Sequence, residues 1–543
     1  MSSPRLLETV RTQLWATSHL LRSQMITAMR PDKYVGMTRI LRAYGPHATT
    51  GFALAANRRP DGIGLIDERG SLTWREIQDR ADALAVGLID LHGSRPTSVA
   101  ILCRNHRGFV DALLAAGRLG VPALLLNTGF TGPALADVLE REGASVVIAD
   151  EEFDSVLSDV RARIPGLVEV LSWVDDEGAV RAEPTADDLI RAHLGRRAEV
   201  VKPGRVVLLT SGTTGTAKGA NRGGGGPQEL AAVLERIPWR AEERVVVAAP
   251  LFHAWGFGQV VIAATMCCTS ILRRKFDPEA TLALADTHQA SGIAVVPVML
   301  ERIMDLPSDT LEGYHLDSVR FVSASGSRMR GAAVTAFMDR FGDVVHNSYN
   351  ATEAGQISVA TPADLRHAID TAGRPVTGTF VRLVDDQGRD VAPGEVGRII
   401  VRGTSQFDGY TSGTTQDSLD GYLISGDVGR FDDEGRLYVV GRADDMIVSG
   451  GENVYPVEVE KAIGELDTVR EVVVVGVEDE AFGQRLAAYV VPTGEDSIDA
   501  DGVRAHVKAK LAGYKVPRDV VLLDELPRNA SGKIVVRDLP GVR

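Results

Sequence analysis

From about residue 64 the chain alternates short apolar runs with amphipathic stretches, and this rhythm constrains its fold more than any other feature. Ser98-Val99-Ala100-Ile101-Leu102 reads as a short buried strand. Residues 109–119 have helical spacing, 121–126 form a second buried run, 134–142 are helical again and 145–149 form another strand. Strands and helices in regular alternation predict parallel sheets covered by helices on both faces. The pattern continues through strands at 205–209, 245–249, 292–297 and 319–323. A chain of 543 residues exceeds what one hydrophobic core supports, so several units are expected. From about residue 372 the texture changes to short strands at 381–384, 397–401 and 436–440 split by Asp-Gly-type turns, the mark of a β-rich subdomain. Beyond Gly441 the chain carries its own strand and helix signals over a length sufficient for a separate small domain. The expected fold class is α/β: a large domain of doubly wound parallel sheets with a β-rich subdomain, followed by a small α+β domain.

Composition narrows the partners. The net charge of −14 argues against a general nucleic-acid partner, which needs a basic surface. Three cysteines offer no disulfide framework and fit a reducing compartment. No run is long and apolar enough for a transmembrane helix, and the first thirty residues lack the apolar core of a secretory signal, so a cytoplasmic protein is expected. Residues 6–29 do carry Leu7, Val10, Leu14, Leu21 and Met25 near one helical face. Around them Arg5, Arg11, Arg22 and Arg30 face one acid, Glu8. Such a basic amphipathic helix either touches the inner face of a membrane peripherally or docks on the protein's own core; docking is the preferred expectation.

The strand at 205–209 runs into Thr210-Ser211-Gly212-Thr213-Thr214-Gly215-Thr216-Ala217-Lys218-Gly219. Glycines free successive N–H groups to converge on one anion, and the threonines add hydroxyls for phosphate or metal. The spacing is not that of a Walker loop. A second lysine, Lys533, sits far away in Pro527-Arg528-Asn529-Ala530-Ser531-Gly532-Lys533. With nine lysines against fifty arginines, a lysine kept in a Gly-containing turn suggests a need for a compact charge on a flexible stem. Ser348-Tyr349-Asn350-Ala351-Thr352-Glu353 sets an aromatic beside a hydroxyl and a carboxylate, suited to purine stacking and to a hard cation. Ser425-Gly426-Asp427 offers a carboxylate to ribose hydroxyls. Gly441-Arg442-Ala443-Asp444 then leads towards Gly450 and Gly451.

Together, over roughly residues 50–540, these segments resemble the adenylate-forming superfamily of acyl-CoA synthetases, luciferases and adenylation domains. The resemblance implies ATP, Mg²⁺ and coenzyme A as reactants. It implies a phosphate-binding loop of Thr210, Ser211, Gly212, Thr213, Thr214, Gly215 and Lys218, and an adenine site of Ser325, Gly326, Ser327, Asn347 and Tyr349. Asp427 and Arg442 match the ribose pair, and Thr352 a phosphate contact. Thr213 and Glu353 match metal ligands, Gly450 and Gly451 the pantetheine passage, and Lys533 the lysine bridging carboxylate and α-phosphate. His253, in Pro250-Leu251-Phe252-His253-Ala254-Trp255-Gly256, resembles the family's acid-pocket segment, with Trp255 as either a gate or core packing. The implied divisions are an N-terminal helical extension (1–50), a large domain (51–443, β-rich part 372–443) and a mobile small domain (444–543) that turns at Asp444.

Asn350 stands where the family commonly has Gly; Asn tolerates positive φ, so a left-handed turn is expected there. Leu124-Leu125-Leu126-Asn127-Thr128-Gly129-Phe130, the 325–327 turn and the basic N-terminus most resemble fatty acyl-CoA synthetases, so a medium to very long fatty acid is the expected substrate. An aromatic or steroid-derived acid, and delivery of fatty acyl-adenylate to a carrier protein, remain open. Ten residues follow Lys533, which sets the expectation of no fused carrier domain. A catalytically dead binding paralogue is disfavoured, because every reactive position is filled.

Overall fold

The apolar runs assemble into four sheets. A computed structural model describes residues 3–542 except 177, 179, 200, 211–217, 223–225, 352, 404–406, 411–416, 450–451, 480–482 and 495–497. The first sheet has nine strands, in the order Arg374–Pro375, Gly355–Ala360, Val345–Ala351, Phe321–Ser325, Gly292–Val295, Arg244–Val247, Thr269–Ile271, Ile63–Asp67 and Gly70–Thr73. Its interior pairs are parallel and its two margins antiparallel. The second has seven: Phe407–Tyr410, Lys218–Arg222, Val206–Thr210, Ala123–Leu125, Val99–Leu102, Val146–Ala149 and Val168–Leu171. Every residue of Val99–Leu102 and Val146–Ala149 is buried, as a strand covered on both faces requires.

Three sequence expectations shift. The strand expected at 292–297 ends at Val295, because Pro297 opens the helix Pro297–Met304, where its missing N–H costs nothing. The strand expected at 319–323 is Phe321–Ser325, since Val319 N–H donates to Leu316 O in a preceding turn at 2.9 Å. The sheets are also mixed, not purely parallel. In particular, Val206–Thr210 pairs antiparallel with Lys218–Arg222, so the Gly/Ser/Thr segment joins two strands of a hairpin.

A third, antiparallel sheet is built from Phe380–Val384, Gly397–Arg402, Tyr422–Phe431, Ser418–Leu419 and Leu437–Arg442, close to the β-rich span expected. The fourth draws only on residues from Ile447 onward. It has its own core, around Val459, Ile463, Val474, Leu486 and Val503. Its contacts with the rest of the chain include two polar ones: Lys461 pairs with Asp370 at 2.6 Å, and Arg330 Nη1 donates to Arg470 O at 2.9 Å.

At the N-terminus helix α1 (Ser3–Arg22) is shorter than expected and docks on the helix Pro227–Arg236. Ala16 and Leu20 are buried there, and Trp15 Nε1 donates to Glu235 Oε1 at 3.2 Å. Helices α2 (Pro31–Tyr44) and α3 (Thr50–Arg58) follow. No helix among the described residues is long and apolar enough to cross a membrane. One buried trio of metal-ligating type, Cys103, His106 and Asp150, lies in the second sheet's core. His106 Nδ1 accepts from Gly108 N–H and Nε2 donates to Asp150 Oδ1 at 2.8 Å, so both ring nitrogens are committed to packing.

Leu20 is buried near the end of α1 and borders the cavity described below, so Leu20→Ala should lower Tm by about 2–4 °C. A thermal melt unchanged by this substitution would show that α1 is not part of the folded unit.

Candidate active site

A tight turn presents Lys533. Asn529 Oδ1 accepts from Ser531 N, Ser531 Oγ and Lys533 N at 3.0, 2.7 and 3.0 Å, which folds the segment over its own side chain. Gly532 has φ +81°, and a Cβ there would lie 2.7 Å from Val298 Cγ1, so only glycine fits against the first-sheet unit. Arg528 braces the turn by donating to Gly532 O at 2.8 Å and to Glu471 Oε2 at 2.6 Å. The ammonium therefore reaches a cavity of about 1890 Å³ lined by segments from Leu20 to Lys533.

Into this cavity also face Ser325, Gly326, Ser327, Asn347, Tyr349, Glu353, Asp427, Arg442 and His253. Ser325 ends its strand, and Gly326 (φ +112°) turns the chain outward at the carboxyl edge of the sheet, where α/β folds bind ligands. Asn347 donates from Nδ2 to Thr371 O at 3.3 Å. Tyr349 donates its hydroxyl to Asp427 Oδ2. Asp427 and Arg442 are register partners on adjacent strands, with Arg442 Nη1 3.8 Å from Asp427 Oδ1. Gly426 (φ +82°) makes room for that guanidinium: a Cβ would lie 3.1 Å from Arg442 Nη2. Arg442 also reaches Asp444 through Nε at 3.0 Å and Nη2 at 3.2 Å.

Asn350 does not take the left-handed backbone expected of it. It lies in Val345–Ala351, where a register shift between Tyr349 and Asn350 turns the strand instead, and its Nδ2 donates to Ser325 Oγ at 3.0 Å. Trp255 donates Nε1 to Val295 O at 2.9 Å and is held in the core, although it touches the cavity wall. Thr210 and Lys218 end and begin the two hairpin strands. Ser211, Gly212, Thr213, Thr214, Gly215, Thr352, Gly450 and Gly451 lie outside the described residues.

The electrostatics follow from enclosure. Burial raises the Asp427 carboxyl above its ordinary range, against the lowering by Tyr349 and Arg442. Burial and the Asp427 carboxylate push the Tyr349 phenol well up. Water reaches Lys533 through the cavity, yet most of the space around its ammonium is protein. Its pKa falls through desolvation and Arg442, while Asp427 and Glu353 raise it. His253 caps the helix Ala254–Thr265, Nδ1 accepting from Trp255 N, and is lowered to about 4 by burial and then by Lys533. At neutral pH this imidazole is uncharged.

Along the helix that follows His253 the cavity wall is mainly apolar, with His47, Thr50 and Gln259 among its polar members. Gly258, Val261, Ile262 and Thr265 form one wall, and Met25, Met29, Tyr34, Met37 and Leu41 of the N-terminal segment another. Sequence reasoning missed this second wall; its only local signal is the three- and four-residue spacing of 34, 37 and 41. For Mg²⁺, the described residues supply one fitting donor, the Glu353 carboxylate, on the turn between Val345–Ala351 and Gly355–Ala360. One carboxylate suits an ion that takes its other ligands from phosphate and water.

Family models bear out the resemblance to the superfamily. The model for AMP-binding enzymes matches residues 52–411, and that for the AMP-binding enzyme C-terminal domain matches 458–533. The chain belongs to this family, within the adenylate-forming superfamily, whose standard reactants are ATP with Mg²⁺ and coenzyme A. It is 34% identical over 476 residues to a feruloyl-CoA synthase from Amycolatopsis, covering 86% of this chain and 92% of that one. It is 31% identical to an indoleacetate–CoA ligase from Aromatoleum aromaticum, covering 85% and 91%. Among solved structures, an o-succinylbenzoate–CoA synthetase from Bacillus subtilis in complex with its acyl-adenylate intermediate superposes with a TM-score of 0.76 at 27% identity, over 91% and 98% of the chains.

His253 and His346, the latter also lowered to about 4 by burial, take up protons near pH 6.5 only when unfolded. Between pH 6.5 and about 4 the unfolded chain binds more protons, so the fold should lose stability as pH falls through that window. His253→Asn keeps an N-cap acceptor but cannot titrate, so its Tm should fall less steeply over this range. Equal slopes for the two proteins would show that His253 titrates in the fold as it does in the unfolded chain.

Proposed function

We propose that this protein is an ATP-dependent acid–CoA ligase whose acid has an aromatic or fused-ring body. The observation that carries the reading is one continuous cavity, with Lys533, Asp427, Arg442 and Glu353 at one end and a mainly apolar chamber beyond His253. In this proposal Asp427 and Arg442 hold the ribose, while Tyr349, Asn347 and the 325–327 turn border the adenine. Glu353 and Thr213 would hold Mg²⁺, which offsets phosphate charge when bound. The 210–218 segment with Thr352 would hold phosphates.

Two anions must meet in the first step. The acid's carboxylate oxygen attacks the α-phosphorus, a P–O bond to pyrophosphate breaks, and acyl-adenylate forms. Lys533 lowers this barrier by offering a fixed ammonium to carboxylate and α-phosphate together, where charge concentrates in the transition state. Neutral His253 bounds the carboxylate's site without adding a competing charge pair. In the second step the thiolate of coenzyme A attacks the acyl carbon and AMP leaves. Lys533 has no role there, so the unit beyond Asp444 would turn and bring Gly450 and Gly451 to the pantetheine arm. The straight-chain fatty acid expected from sequence yields to a ring-bearing acid because the relatives are named for feruloyl and indoleacetate substrates.

AMP release with coenzyme A across a panel of carboxylic acids tests the substrate class: cinnamic-type, indole and fused-ring acids should exceed fatty acids in kcat/KM, and the reverse order would overturn it. Lys533→Ala should cut acyl-adenylate formation by about 100-fold or more and spare thioester formation from supplied acyl-adenylate. Equal losses in both half-reactions would contradict the division of roles. Asp444→Pro fixes φ at the proposed pivot, so it should retain acid-dependent pyrophosphate exchange and lose thioester formation. Normal thioester turnover in this variant would place the pivot elsewhere.

A further inference from the structure

Helix α2 carries an apolar stripe that the protein itself leaves uncovered. Tyr34, Met37 and Leu41 recur at three- and four-residue spacing, share one face and all line the chamber. Yet α2 has no buried residue, whereas an amphipathic helix normally buries its stripe. The helix is nonetheless held firmly from behind. Gly36 lets it approach α3, where a Cβ would lie 2.1 Å from Asn57 Oδ1, and Asn57 Nδ2 donates to Lys33 O at 2.9 Å. The segment leading to it is fixed too: Arg58 donates to Met25 O at 2.7 Å and to Gln24 O at 3.1 Å. Tyr34 Oη donates to Thr27 O at 3.2 Å and accepts from Met29 N–H at 3.3 Å. An anchored helix with its apolar face over open volume is a core that lacks its last component.

We propose that residues 25–41 form the specificity wall of the acid chamber, and that the apolar body of the acid completes the packing of α2. This rests on the acid–CoA ligase reading above and extends it to the size of the acid: one long enough to reach from His253 to Met37. Met25, Met29 and Met37 suit the task, because unbranched thioether side chains repack around bodies of different outline. Tyr34 and Leu41 are 42% and 45% exposed while also lining the chamber, so its outer mouth opens beside α2. The wall lies outside the family-model match, which begins at residue 52.

The test compares Met37→Trp and Met37→Ala with the parent enzyme on two graded series: benzoate, naphthoate and phenanthrene carboxylate, and butanoate, octanoate and hexadecanoate. The readout is the ratio of kcat/KM for the largest to the smallest acid of whichever series is turned over, by AMP release with coenzyme A. Met37→Trp should lower that ratio about tenfold or more, the scale of misfit in an apolar pocket, and Met37→Ala should hold or raise it. If Met37→Trp fails to fold, Met29→Trp takes its place with the same expectation. Ratios within about threefold of the parent in both variants would overturn the proposal. So would an unchanged ratio accompanied by lost binding to phosphatidylglycerol vesicles, which would assign the stripe to a lipid surface. An enzyme that prefers the fatty series removes the ring-acid reading and leaves the wall to be judged on chain length; one that activates no acid removes both.

Discussion

A carboxylate and a triphosphate repel each other, and in the proposed mechanism one ammonium group, that of Lys533, stands where they would meet. Lys533 reaches the cavity only because several local constraints agree. Asn529 folds the turn, Gly532 fits against Val298, and Arg528 ties the turn to Glu471. The contacts of Lys461 with Asp370 and of Arg330 with Arg470 then hold the fourth-sheet unit in place. These two contacts are polar and partly exposed, a kind that contributes little individually, and the packing of Gly532 against Val298 adds to them. The lysine's geometry is thus fixed firmly within its own turn, which suits the role in one half-reaction proposed for it.

Activation and recognition occupy opposite ends of one cavity. At the first end charged and hydrogen-bonding groups act on atoms that every carboxylic acid and ATP share. Towards the other end the walls are mainly apolar, and in this proposal they meet what differs between acids. Chemistry of this kind can be retained while the chamber changes, and relatives at 31% and 34% identity are named for different acids.

Local sequence was most informative where function depends on a few adjacent residues. Ser348, Tyr349, Asn350, Ala351, Glu353, Ser425, Asp427, Arg442 and Lys533 all come to the cavity, because each motif encodes its own turn or strand end. Parallel strands were legible from continuous apolar runs; their antiparallel margins were not, since pairing direction depends on connections and not on the run itself. The positive φ expected at Asn350 failed because a register shift with the neighbouring strand does the turning, and that shift belongs to the pair. The chamber was invisible for a deeper reason: a void is made by elements far apart in sequence. Tyr34, Met37 and Leu41 gave a helical stripe indistinguishable from one that covers a core, and the N-terminal basic residues drew attention to a membrane while α1 docks on Pro227–Arg236.

The central claim is that a carboxylate oxygen attacks the α-phosphorus beside Lys533. An acid labelled with ¹⁸O in its carboxylate, turned over with ATP and coenzyme A and followed by mass spectrometry, tests it directly. The account predicts one labelled oxygen in AMP and none in pyrophosphate. Label in inorganic phosphate with ADP as the nucleotide product would mean attack at the γ-phosphorus and would contradict it.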